Sequence, residues 1–163
     1  SNSVVLVSFY GSHKNLFNSP LLPLPLLYLG TYLKDKGYNV ILQDLDIKDN
    51  IDYFVQKSID EKPLLIGISA RFGLYTDQYI KYSKLVKEKS DIPIVWGGVH
   101  ASATYDLCLK ENYIDFVIIG EGEIALYELT QAIEGKIDLS NVRNLAYKKM
   151  ALLSKMKLFL KKI

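Results

Sequence analysis

The sequence predicts a three-layer α/β sandwich around a central parallel sheet of about five strands. Short apolar runs alternate with amphipathic stretches of helical period five times along the chain. The runs are continuously apolar, as in strands buried on both faces. Such alternation calls for parallel strands, right-handed crossovers and helices on both faces of the sheet.

Residues 4–8 (Val-Val-Leu-Val-Ser) form the first predicted strand. A long polar-then-apolar loop over residues 10–23 leads to Pro25, which opens a helix because the first turn does not use its missing N–H. Leu26, Leu29 and Leu33 share one face of that helix, and Gly37 ends it. A second strand over residues 40–42 runs out into Asp44 and Asp46, and Ile51, Phe54, Val55 and Ile59 stripe the second helix. Residues 64–69 are the third strand, and Tyr75, Tyr79, Tyr82 and Val86 recur at helical spacing after it. The fourth strand covers residues 92–96, followed by a short helix over residues 103–111. The fifth strand covers residues 116–119, and Leu126, Leu129 and Ile133 mark a helix ending near Gly135. Residues 142–147 make a sixth, edge strand. This is the Rossmann-like (flavodoxin-like) class, in which ligands bind beyond the carboxyl ends of the strands. Those ends hold the chain's unusual residues, above all Gly97-Gly98 and Gly120-Glu121-Gly122-Glu123, where glycine allows close approach of another molecule.

Size and composition fit one domain, placed at residues 1–147, with a basic tail or linker over residues 148–163. The 163 residues are 49% hydrophobic and 23% charged, an ordinary globular balance. A net charge of +2, with Arg71 and Arg143 the only arginines, argues against a nucleic-acid partner. Cys108 is the sole cysteine, so the chain holds no disulfide framework and fits a reducing cytoplasm. No apolar run approaches the ~18 residues of a membrane span. The tail carries Lys155, Lys157, Lys161 and Lys162 among Leu, Met and Phe, which reads as a terminal helix or as a basic amphipathic one.

Several chemistries lack their motifs. No Gly-x-Gly-x-x-Gly follows the first strand, and no Gly-Lys-Ser/Thr phosphate loop exists. The third strand ends in Ser69 where a phospho-receiver needs a carboxylate, and Gly67-Ile68-Ser69-Ala70-Arg71 lacks the second glycine of a nucleophile elbow.

Five ordered elements carry a resemblance. They are Leu22-Pro23-Leu24-Pro25 with Tyr28-Leu29-Gly30-Thr31-Tyr32-Leu33, Gly37-Tyr38, Ile66-Gly67-Ile68-Ser69, Trp96-Gly97-Gly98-Val99-His100-Ala101-Ser102, and Asp115-Phe116-Val117-Ile118-Ile119-Gly120-Glu121-Gly122-Glu123. Over residues 4–147 the chain resembles the N-terminal cobalamin (B12)-binding domain of B12-dependent radical S-adenosylmethionine enzymes, in the Mg-protoporphyrin IX monomethyl ester oxidative cyclase-like group. The resemblance implies a cobalamin across the carboxyl edge of the sheet, its nucleotide tail slotted between strands and helices. It implies cofactor-binding roles for Tyr10 and Gly11, for Ser69, Ala70 and Arg71, for Gly97, Gly98, Val99 and His100, and for Gly120, Glu121 and Gly122. The parent activity would be methyl transfer or oxidative cyclisation.

The departures are specific. The Asp-x-His-x-x-Gly loop of His-ligated cobalamin proteins is missing: His13 sits in the first loop, but Gly11 stands where its orienting Asp belongs and Leu16 replaces the glycine. His13 is therefore either a cobalt ligand without that partner or a solvated loop residue. Arg71 replaces the Leu of the Ser-x-Leu element, to meet a corrin amide, a substrate carboxylate or solvent. No Cys-x-x-x-Cys-x-x-Cys occurs, so a [4Fe-4S] cluster and S-adenosylmethionine would belong to a downstream domain, and no residue here is assigned a catalytic role.

Two other readings stay open. A domain that keeps the fold but has lost cobalamin would serve as a structural, interaction or substrate-binding domain and fill the site with its own side chains, Tyr10 or Phe72 first. A nucleotide-binding α/β enzyme would use Asp44 and Asp46 on a ribose, where solvated turn residues are the alternative. Glu121 and Glu123 read as an acid–base pair or, for Glu123, as a first-turn residue favoured by the helix dipole. The tyrosine stripe and Trp96 read as core packing.

Overall fold

The computed structural model describes residues 2–10, 22–71, 73 and 75–148. The strands are β1 (Ser3–Tyr10), β2 (Asn39–Asp46), β3 (Leu65–Ser69), β4 (Ile94–Gly97), β5 (Phe116–Ile118) and β6 (Leu145–Tyr147). The helices are α1 (Leu24–Asp35), α2 (Ile51–Asp60), α3 (Thr76–Lys89), α4 (Val99–Ala103), α5 (Tyr105–Cys108) and α6 (Glu123–Ile133). The sheet order is β2-β1-β3-β4-β5-β6, with the first five strands parallel and β6 antiparallel to β5. The α/β class holds, and a sixth strand joins the parallel five.

Side-chain alternation along β1 builds both faces of the sheet. Val5, Val7 and Phe9 point toward α2 and α3, where Val55, Tyr79 and Tyr82 close the core. Val4 and Leu6 point the other way, toward Leu26 and Leu33 of α1 and Leu126 and Leu129 of α6. The expected tyrosine stripe is core: Tyr79 and Tyr82 are fully buried. Tyr82, Gln43 and Ser58 satisfy one another, with hydrogen bonds of 2.7, 2.8 and 2.9 Å. Trp96 packs edge-on against Tyr79 and donates its Nε1–H to Ser83 Oγ at 3.0 Å. At the amino end of the sheet, buried Asp115 pairs with Lys87 and accepts the Ile94 N–H at 2.8 Å, joining α3 to β4 and β5.

Several element boundaries correct the sequence reading: the fourth strand covers Ile94–Gly97 rather than residues 92–96, and the sixth covers Leu145–Tyr147 rather than residues 142–147. The second strand continues through Asp46, because β1 supplies a full ladder to its end and the polar residues are tolerated on an edge strand. The helix expected over residues 103–111 is replaced by α4 and α5, which start earlier and break at Thr104. Thr104 leaves helical geometry at φ −128°, and its hydroxyl donates back to the His100 carbonyl at 2.9 Å. The tail over residues 150–163 lies outside the described residues.

Candidate functional site

The two glycine-ended strands have different physical reasons for their glycines. Gly98 stands at φ +93°, ψ 179°, a region only glycine occupies readily, and turns the chain from β4 straight into α4. A Cβ at Gly98 would lie 2.6 Å from the Ala70 carbonyl oxygen, so the residue is also fixed by the neighbouring backbone. Gly97 is the opposite case: a Cβ there would meet nothing within 4 Å among the described residues. Its missing side chain leaves open space at the carboxyl end of β4. Gly120, at φ +80°, also faces open space, whereas a Cβ on Gly122 would press on Leu29 of α1 at 3.1 Å.

That open space belongs to a cavity of about 750 Å³ between the sheet and helices α1 and α6. Leu6, Gly67, Val95 and Ile118 form its sheet wall. Leu24, Pro25, Leu26, Tyr28 and Leu29 bring α1 to it, and Leu126 brings α6. Ser69, Gly97, Gly98, Val99 and Ser102 surround it at the β3 and β4 exits, and Gly120, Glu121, Gly122 and Glu123 at the β5 exit. The Gly120 N–H donates to Ser102 Oγ at 3.0 Å, which ties the two exits together. α6 begins after Gly122 with no side-chain cap, and Glu123 is the acidic residue of its first turn.

The remaining residues of the sequence reading fall beside the cavity. Ala70 is buried behind Gly98, its N–H donated to the Gly97 carbonyl at 2.8 Å. Arg71 is exposed at the β3 exit, and His100 is half-buried on α4 between the lining residues Val99 and Ser102. Tyr10 ends β1, 38% exposed, and does not line the cavity. Its phenol is held above the usual tyrosine range, by partial burial first and then by Asp46, Asp44 and Asp49. Asp44 accepts the hydroxyl of Ser8, its neighbour on β1, and Asp46 accepts the Lys48 N–H at 2.9 Å, so the first joins two strands and the second serves the β2 exit turn. Gly11, His13, Leu16 and Phe72 lie outside the described residues.

Residues 16–130 match the family model of the B12 binding domain, more than half of the chain. The chain belongs to the B12-binding domain family. This B12-binding domain is 32% identical over 132 residues to the anaerobic magnesium-protoporphyrin IX monomethyl ester cyclase of Synechocystis sp., covering 78% of this chain and 26% of that protein. It superimposes with a TM-score of 0.74 and 24% identity on the radical S-adenosylmethionine methyltransferase TsrM from Kitasatospora setae, solved with cobalamin and a [4Fe-4S] cluster bound. That match covers 92% of this chain and 28% of the other. The cobalamin-dependent S-adenosylmethionine radical enzyme OxsB, solved with aqua-cobalamin and S-adenosylmethionine bound, matches with a TM-score of 0.78 and 24% identity over 91% of this chain and 21% of its own. The chain thus spans about a quarter of the length of these relatives.

The B12-binding domain recruits residues that the sequence reading left out of the site. Gly67 reads in sequence as one more strand residue, yet a Cβ there would come 2.8 Å from Leu6 Cδ2 at the cavity wall. The sequence opens the first helix at Pro25 with Leu26, Leu29 and Leu33 as its apolar face, which leaves out Leu24 and Tyr28; they are 50% and 64% exposed and stand at the cavity mouth. The clue available beforehand was Leu24 and Tyr28 themselves, apolar bulk placed where an amphipathic helix normally faces water. Among the described residues, no helix is long and apolar enough to cross a membrane.

Proposed function

We propose that this domain holds cobalamin at the carboxyl edge of its sheet, as the cofactor module of a radical S-adenosylmethionine enzyme. The cavity beside Gly97 carries the reading. A fold that had lost its cofactor would fill this space with its own side chains; among the described residues, Gly97 faces open volume and Tyr10 does not line it. The nucleotide tail enters between β3, β4, α1 and α6, closest to the chain at Gly97 and Gly98. Ser69 offers the tail a hydroxyl that donates and accepts. The corrin covers the rim, where Val99 is 71% exposed and would otherwise leave apolar surface to water. Arg71 and the uncapped N–H groups of α6 serve the corrin's polar periphery.

Bound cobalamin supplies a cobalt centre for methyl transfer or for ring-forming oxidation. This chain's own residues bind and orient the cofactor and keep water from its tail. The [4Fe-4S] cluster and S-adenosylmethionine belong, in this reading, to a downstream domain of the same polypeptide. Residues 1–147 are then the cofactor unit and residues 148–163 the start of the connection. A reducing, cytoplasmic setting is in keeping with the lone Cys108.

Incubation with hydroxocobalamin followed by desalting tests the proposal. A corrin spectrum that co-elutes with folded protein supports it; colourless, folded protein overturns it.

A further inference from the structure

We propose that the cavity selects among corrinoids by the base at the end of the nucleotide tail, accepting a benzimidazole and disfavouring a purine. The inference rests on the cobalamin reading above and deepens it.

The inner wall is made by Leu6, Leu26, Gly67, Val95, Ile118 and Leu126. Each of the five side chains is 4% exposed or less, and none carries a hydrogen-bonding group. The strand backbone behind them is committed to the sheet, with Leu6 opposite Gly67 and Gly67 opposite Val95. Among the described residues, the polar side chains around the cavity stand away from this wall: Ser69 at the β3 exit, Ser102 on α4, Glu121 and Glu123 at the start of α6, and Tyr28 in the second turn of α1. All five are half-buried or exposed.

A base that reaches the inner wall therefore loses its water and meets only hydrocarbon. A dimethylbenzimidazole gains from that exchange, because its two methyl groups add buried apolar area. An adenine brings an exocyclic amine and two extra ring nitrogens, and each is left without a partner. Gly67 adds no polar side chain to this wall, and Leu6 takes the space beside it, its Cδ2 2.8 Å from where a Cβ would stand.

Titration of the full chain with three corrinoids that share one ring system tests this. The three are cobalamin, its adenine-bearing counterpart, and cobinamide, which lacks the nucleotide. Cobalamin is expected to bind at least about tenfold more tightly than the adenine form, the scale on which an apolar pocket rejects an added polar group. Equal affinity for the cobalamin and adenine forms overturns the selection and leaves cobalamin binding standing. Cobinamide binding as tightly as cobalamin removes the tail from the cavity and overturns it too. Failure of all three corrinoids to bind overturns the cofactor reading itself. Val95→Thr places a hydroxyl in the wall at nearly constant volume. It is expected to narrow the cobalamin-to-adenine ratio several-fold, and an unchanged ratio with folded protein counts against the proposal.

Discussion

The Gly120 N–H donates to the Ser102 hydroxyl at 3.0 Å, so the exits of β4 and β5 share a hydrogen bond although 18 residues separate the partners. Ser102 also donates its own N–H to the Gly98 carbonyl at 2.9 Å. One serine thus fixes both glycine-ended strands along the rim of the cavity. Ser102→Ala is expected to cost about 1 kcal/mol of stability, the usual net worth of a single hydrogen bond. It should also raise amide exchange at Gly120 in two-dimensional NMR; unchanged exchange there would show that the bond does not hold the rim.

Gly98 and Gly97 should respond oppositely to enlargement. Gly98→Ala forces a Cβ to 2.6 Å from the Ala70 oxygen at φ +93°. A loss of about 3 kcal/mol is expected from that strain, read from urea unfolding midpoints. Gly97→Ala meets nothing within 4 Å among the described residues and should change stability by no more than about 0.5 kcal/mol. Equal losses in the two variants would refute the distinction between a glycine set by the fold and one set by the cavity.

The Lys87–Asp115 pair sits at the far end of the sheet, with side chains 17% and 7% exposed. Lys87 also donates to the Ile92 carbonyl at 2.8 Å. Asp115→Ala strands the Ile94 N–H and takes the carboxylate from the lysine, and about 3–5 kcal/mol should be lost. Replacing both members by apolar residues should recover part of that loss; a double variant as unstable as the single one contradicts this account.

Alkaline pH should weaken the fold through its buried phenols. Burial pushes Tyr82 well above the ordinary tyrosine range, and it outweighs the hydrogen bond with Ser58. Burial, then the hydrogen bond to Glu134, raises Tyr38, and burial with Glu111 beside it raises Tyr113 to about 12. These groups hold their protons more tightly in the folded chain than in the unfolded one. The stability they contribute is complete below about pH 10 and is lost as pH rises through the folded values. Urea midpoints should be flat from pH 8 to about 10 and fall above it. Tyr113→Phe should make that fall shallower, and midpoints that rise above pH 10 would reverse the sign.

Much of this architecture was legible in the sequence because the strands are buried on both faces and so read as unbroken apolar runs. The glycine exits were legible for the same reason: Gly97 and Gly120 interrupt runs that otherwise hold no small residue. The cavity's other half was not. Leu24 and Tyr28 of α1, 73 and 69 residues before Gly97, come to it only through the packing of that helix, and periodicity carries no such information. Gly67 hid inside a strand, since its role depends on Leu6 and Val95 in neighbouring strands. The helix misplaced to residues 103–111 turned on Thr104, whose hydroxyl competes for the His100 carbonyl and breaks the run.

The most direct test of the cofactor reading is calorimetric titration of hydroxocobalamin into the wild-type chain and into Gly97→Val, with thermal unfolding recorded for both. The valine grows into the open space at the end of β4. The account predicts saturable one-to-one binding to the wild type, at least about tenfold weaker binding to the variant, and no more than about 1 kcal/mol difference in stability. Equal affinity in two equally folded proteins, or no binding to the wild type, would contradict it.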